Sequence, residues 1–214
     1  MKRKNREITG LAVLAVFVIF FFACGNSRPA VRSVNEKGAQ ETGVPPGNID
    51  AEKFASEYPL VGRDNVFVFR NARETVDILA NGTGVVFMGF KECPWCQTYA
   101  VFLNDVARET GINRIFYCDI REDRQENTES YQKITGILSG LLQYDDEGRP
   151  RVYVPDVTII DSGRIIGRDY ETSKDTLGYE EPREYWTSER VNALKEKLRE
   201  SMKGISRSCS SCDF

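Results

Sequence analysis

Apolar positions are scattered over residues 25–50. From residue 51 onward they fall into clusters that alternate between the two-residue repeat of a strand and the 3.6-residue repeat of a helix. Residues 65–70, Asn-Val-Phe-Val-Phe-Arg, read as a short strand. Residues 72–80 put Val76, Ile78 and Leu79 on a short helix that stops at Asn81-Gly82. Gly-Val-Val-Phe-Met-Gly-Phe at 84–90 is an unbroken apolar run, the pattern of a strand covered on both faces, and so marks the central strand. Residues 97–110 repeat Tyr99, Phe102, Leu103, Val106 and Ala107 at helical spacing, with Gly111 as the stop. A strand follows over 112–120, and the order strand, helix, strand predicts a right-handed crossover between parallel strands.

Further along, Tyr131, Ile134, Ile137, Leu138 and Leu141 share one face of a helix expected over 122–142, with Gly136 and Gly140 as its weak points. Residues 152–161 and 164–167, joined by Ser162-Gly163, read as an antiparallel hairpin. Val191, Leu194, Leu198 and Met202 line a closing amphipathic helix over 189–203, with Gly204 just past its end. The fold class is therefore α/β, a central mixed sheet flanked by helices.

The stretch before this body has a different character. Lys2, Arg3, Lys4 and Arg6 precede an apolar run over 8–23 and then Cys24, the order of a secretory signal. The run is shorter than the roughly 20 residues of a comfortable membrane span. Phe21-Phe22-Ala23-Cys24 resembles the lipobox of bacterial lipoproteins, which implies that Cys24 is lipidated and becomes the new N-terminus. An uncleaved signal anchor and a cytoplasmic protein are the alternatives. Residues 24–50, with Gly25, Pro29, Gly38, Gly43, Pro45, Pro46 and Gly47 among polar neighbours, read as a flexible tether. The expected organisation is a signal over 1–23, a tether over 24–50, one domain over 51–204 and a polar tail over 205–214. The body is placed outside the cytoplasm, anchored to the bacterial membrane.

Charge narrows the partners. The signal carries +3, so a net charge of -3 leaves -6 on residues 24–214, a body with no electrostatic reason to seek nucleic acid or anionic lipid. The chain holds no histidine, which removes the usual base of serine and cysteine hydrolases.

Chemistry concentrates at Cys93-Pro94-Trp95-Cys96, between the central strand and the next helix. Proline is favoured at the first helical position, so Cys93 becomes the N-cap. Its sulfur is then positioned to accept hydrogen bonds from the N–H groups of Trp95 and Cys96, and the positive end of the helix lowers its pKa. Cys96, one turn in and more buried, is placed to close a disulfide with it. Such a pair exchanges disulfides in two steps, attack by Cys93 and resolution by Cys96.

The strand, the Cys-Pro-Trp-Cys motif at a helix start and Val154-Pro155 ahead of a hairpin together resemble the thioredoxin superfamily over roughly residues 62–170. The closing helix adds to the likeness, and the lipobox points toward its extracytoplasmic bacterial members. The resemblance implies a thioredoxin-like fold, catalytic Cys93 and Cys96, and a cis Pro155 beside the pair. It also implies that Val154, Pro155 and Trp95 hold substrate. Two departures stand out: Phe87 occupies the place of that family's buried aspartate, leaving the proton acceptor of Cys96 open, and 119–155 is longer than the minimal fold needs. Lys91 and Glu92 act in opposite directions on Cys93.

The expected function is a membrane-tethered thiol-disulfide oxidoreductase without cofactor or metal. Its partners would be the thiols or disulfides of exported proteins and a membrane or extracytoplasmic redox partner. A structural disulfide, or half of a four-thiolate zinc site completed by Cys209 and Cys212, is the competing reading of the motif. An accessory or binding lipoprotein is the competing function. Cys209 and Cys212 read either as an accessory redox pair or as an idle disulfide on a solvated tail, and Cys118 as a small buried apolar residue.

Overall fold

A computed structural model describes residues 49–170, 172 and 178–205. The signal and lipobox with Cys24, nearly all of the tether, and Cys209 and Cys212 lie outside the described residues. The elements run α1 (Ile49–Glu57), β1 (Phe67–Phe69), α2 (Ala72–Asn81), β2 (Gly84–Gly89), α3 (Pro94–Thr110), β3 (Ile115–Asp119), α4 (Arg121–Glu126) and α5 (Glu129–Ile137). They continue with β4 (Gln143–Tyr144), β5 (Pro150–Arg151), β6 (Asp156–Asp161), β7 (Arg164–Asp169), α6 (Pro182–Tyr185) and α7 (Ser188–Lys203).

Five strands form one sheet in the order β1-β3-β2-β6-β7. β3 runs parallel to β1 and β2, whereas β6 runs antiparallel to β2 and β7 antiparallel to β6. The sheet is mixed, and β2 is its middle strand. Val85, Val86, Phe87 and Met88 are all fully buried, because alternate side chains enter two different cores. Val85 and Phe87 join Phe54, Tyr99, Leu103, Leu194 and Leu198 on the face covered by α1, α3 and α7. Val86 and Met88 join Ile78, Leu79, Phe116 and Ile134 on the face covered by α2 and α5.

The helix ends follow local chemistry. Asn71 and Glu74 form a reciprocal cap on α2, each side chain accepting the other's backbone N–H at 2.9 Å. Thr187 caps α7 by accepting the Arg190 N–H at 3.3 Å. Gly111 closes α3 in the left-handed conformation, φ 78°.

Three sequence expectations change. The helix over 122–142 is two helices, α4 and α5, because Asn127 turns left-handed at φ 51° and Thr128 caps the next helix, accepting the Tyr131 N–H at 3.2 Å. Gly136, marked as a weak point, lies inside α5 instead. The hairpin begins at Asp156 rather than at residue 152, and a small extra hairpin, β4 with β5, precedes it. The helices α1 and α6 had no counterpart in the hydrophobic pattern, α1 because its sequence holds few apolar residues and α6 because it is only four residues long.

The β6–β7 turn needs both of its residues at positive φ, Ser162 at 53° and Gly163 at 73°. Gly163 donates its N–H to the Gly82 carbonyl at 2.8 Å, and a Cβ at residue 163 would stand 2.2 Å from the Ala80 carbonyl oxygen. Gly163→Ala is expected to destabilise the fold by more than about 1 kcal/mol, through strain and backbone clash together. Urea unfolding midpoints check this.

Candidate functional site

The carboxyl ends of β2 and β3 and the start of β6 lie at one edge of the sheet, and the chemistry-bearing residues gather there. Parallel strands deliver successive loops to the same edge, so the turn after β2 carries Cys93 and the turn after β3 leads into α4 with Arg121 and Arg124. Met88 pairs with Asp156, so Pro155 sits one residue past that pair, at the edge from which the Cys93 turn departs. The Val154–Pro155 peptide is cis, as expected. Val154 is half-buried and touches both cores.

Cys93 is the N-cap of α3 with Pro94 at the first helical position. Its Sγ accepts the Cys96 backbone N–H at 3.1 Å. Both cysteines are thiols rather than a disulfide. Cys93 keeps 7% of its surface exposed and Cys96 none. The Cys93 thiol is lowered below the ordinary cysteine value, chiefly by a hydrogen bond from the Cys96 side chain, against the opposing effect of burial. The backbone N–H groups of Cys96 and Trp95 and the positive charge of Arg124 add to the lowering. Cys96 moves the other way, raised by burial first and then by its hydrogen bond to and repulsion from Cys93. One proton is thus held unevenly between two sulfurs, with the more accessible one the better anion.

Trp95 is half-buried and meets the Tyr185 ring edge-on at 5.5 Å, so α6 backs the indole while part of it faces solvent. Glu92 is occupied by Arg121 at 3.1 Å. Cys118 lies in the α2/α5 core, on the opposite sheet face from the pair, and burial pushes its thiol up to about 12. It is buried, as expected of it.

Phe87 is fully buried in the same cluster as both cysteines, ringed by Phe67, Tyr58 and Tyr117 at centroid distances of 5.8, 6.2 and 5.7 Å. The fully buried Asp156 faces the other core. Arg168 Nε donates to its carboxylate at 3.0 Å, and Thr158 Oγ1 donates at 3.0 Å. The polar groups beneath Cys96 are instead two buried phenols, with Tyr58 donating to the Tyr117 hydroxyl at 3.1 Å. Burial raises the pKa of both phenols, so they stay protonated and act as neutral hydrogen-bonding groups.

Sequence reading missed Tyr58, Tyr117, Arg124 and Gly89. The phenols and Arg124 belong to elements whose contacts with the pair are long-range, with no local motif to flag them. Gly89 did carry a signal, a glycine at the end of an apolar strand, which marks a close approach. A Cβ there would stand 3.1 Å from Phe87, 3.3 Å from Cys96 Sγ and 3.4 Å from the Tyr58 hydroxyl.

No family model matches the chain, and no curated protein matches it.

Two outcomes follow from this geometry. Alkylation of Cys93 by iodoacetamide is expected to have its midpoint below the roughly pH 8.5 of a free thiol, while Cys96 in the folded protein stays unreacted. Rate against pH, with mass mapping of the labelled site, checks both. Gly89→Ala is expected to lose about 1–3 kcal/mol by overpacking Phe87, Cys96 and Tyr58, read from its urea midpoint.

Proposed function

We propose that this protein is a thiol-disulfide oxidoreductase of thioredoxin-like fold, tethered through Cys24 outside the cytoplasm and exchanging disulfides with exported proteins. The observation that carries the reading is the Cys93 sulfur at a helix N-terminus, accepting the Cys96 N–H at 3.1 Å, with Cys96 fully buried one turn in. The parallel β2-α3-β3 unit, the antiparallel β6-β7 hairpin and the cis Val154–Pro155 peptide support the fold assignment. The basic start, apolar run and Cys24 support export and lipid attachment.

In the reducing direction the Cys93 thiolate attacks one sulfur of a substrate disulfide. That S–S bond breaks, and the departing sulfur leaves with the electron pair and takes up a proton. Cys96 then gives up its proton and attacks Cys93 Sγ, expelling the first substrate sulfur as a thiolate that is protonated in turn. Two electrons and two protons pass to the substrate and a Cys93–Cys96 disulfide remains. A dithiol partner outside the cytoplasm would return the pair to the reduced state, and the reverse sequence would oxidise a substrate dithiol. Val154 and Trp95, packed against the core cluster that holds the pair, and the buried Pro155 at the same end of the sheet would hold the substrate chain.

The 7% exposure of Cys93 favours one second reading, a binding or accessory lipoprotein in which the pair closes as an inert structural disulfide. The reduction potential separates the two, since inert structural disulfides fall below about -300 mV. Cys96→Ser is expected to accumulate a mixed disulfide through Cys93 with a peptide disulfide, and Cys93→Ser to lose exchange altogether. Non-reducing mass spectrometry and exchange rates read these outcomes. Exchange that survives in Cys93→Ser would remove the oxidoreductase reading.

A further inference from the structure

Beside the cysteine pair, between α4, α5 and the β4–β5 hairpin, lies a cavity of about 420 Å³ whose lining includes Arg121, Arg124, Arg149, Arg151, Tyr131 and Asp145. Its cations differ in how they are satisfied. Arg149 is paired with Asp145 at 3.0 Å and Glu147 at 2.5 Å, and Arg121 with Glu92 at 3.1 Å. Arg124 and Arg151 have no carboxylate partner among the described residues. Arg124 spends one N–H on the Val152 carbonyl at 3.2 Å and lies 5.4 Å from the centre of the Phe90 ring. Arg151 lies 5.3 Å from the Tyr153 ring centre, and its buried Nε has no hydrogen-bond partner. The two charges also repel each other: burial and then Arg151 lower the pKa of Arg124. Two unneutralised guanidinium groups drawn partly out of water over one cavity are a destabilised arrangement that an anion would relieve.

The cavity is tied to the sulfurs at two points. Arg124 exerts its charge on both Cys93 and Cys96. Arg121 holds Glu92, the residue immediately before Cys93. We propose that this cavity binds carboxylate groups of the disulfide substrate and thereby selects acidic substrates for the Cys93–Cys96 pair. The inference rests on the oxidoreductase reading only for its second half, since binding itself needs no redox chemistry. The carboxylates belong either to acidic residues flanking a cysteine in a polypeptide or to a small disulfide. The chemistry is common to both: planar anions engaging guanidinium forks a short reach from a sulfur.

The test compares exchange rates for two matched pairs of substrates, a disulfide peptide with Glu flanks against its Gln counterpart, and dithiodiglycolate against its diamide. Wild-type protein is expected to prefer the acidic member by about tenfold or more at low salt, a preference that fades as salt rises. Arg151→Gln should bring the acidic-to-neutral ratio close to one, and Arg151→Lys should restore it in part. Arg63→Gln, on the surface away from the cavity, should leave the ratio unchanged. A preference confined to the peptide pair or to the small pair supports the proposal and identifies the carrier. No acidic preference in either pair, or a preference untouched in Arg151→Gln, overturns it.

A second measurement separates this proposal from the function it builds on. In the Cys93→Ser/Cys96→Ser protein, calorimetry should detect the Glu-flanked peptide with serine in place of cysteine, and Arg151→Gln added to that background should weaken binding at least tenfold. Binding without any disulfide exchange by the wild type would keep the cavity and sink the oxidoreductase reading. Exchange without acidic preference or binding would do the reverse.

Discussion

A thiol at the start of a helix gains little while it keeps its proton, because sulfur is a weak acceptor. Once ionised, it faces peptide N–H groups that have no other partner and the positive end of the helix dipole. The 3.1 Å contact from the Cys96 N–H to Cys93 Sγ is that interaction, and the rest of the site depends on it. It requires α3 to begin at Pro94, which requires β2 to end at Gly89 and the chain to turn within four residues. The same turn leaves Pro94 exposed and Trp95 half-buried and puts Cys96, the third helical residue, fully in the core. Geometry thereby lowers the pKa of one sulfur and raises that of the other, although both belong to the same residue type.

The sheet divides the remaining polar groups between its faces. Asp156 and Arg168 form a buried ion pair opposite Met88, in the α2/α5 core, where hydrogen bonds from Thr158 and Arg168 offset the cost of removing the carboxylate from water. On the cysteine face β2 offers Phe87 and β3 offers Tyr117, so the floor under Cys96 is aromatic, with Tyr58 donating to the Tyr117 hydroxyl, while in the same core Tyr99 donates to the Asp169 carboxylate at 2.7 Å. An ionised carboxylate there would stabilise neither thiolate. Phenols held neutral by burial keep polarity near the sulfur without adding negative charge. The positive charge comes from the edge instead, where α4 follows β3 directly and brings Arg124 within electrostatic reach of both sulfurs.

Hydrophobic pattern served well where an element's own residues decide its conformation. The unbroken run at 84–90, the helical spacing of Tyr99, Leu103 and Val106, and Leu194, Leu198 and Met202 on α7 each belong to long elements with one strongly apolar face or two. It failed where a single residue overrules the pattern. Asn127 adopts a left-handed backbone and parts α4, which is wholly polar and buries no residue, from the apolar face that begins at Tyr131 in α5. It also failed for α1, whose Phe54 is buried by stacking on Phe67 at 3.8 Å and meeting Tyr117 edge-on at 5.1 Å, contacts made with other parts of the chain.

The sequence alone determined where the cysteine pair lies, between a strand and a helix with Cys93 as N-cap, because that follows from residue types acting on their own backbone, whereas the cis Val154–Pro155 peptide was expected from the thioredoxin resemblance. Proline at a helix start, glycine after a helix and an alternating apolar strand are local constraints. Only the tertiary structure decided what lies beneath Cys96, and that Arg124 and Arg151, which have no carboxylate partner among the described residues, border one cavity. Those properties come from burial and from Coulomb forces between residues far apart in the chain, and no local spacing encodes which charges a fold will bring together.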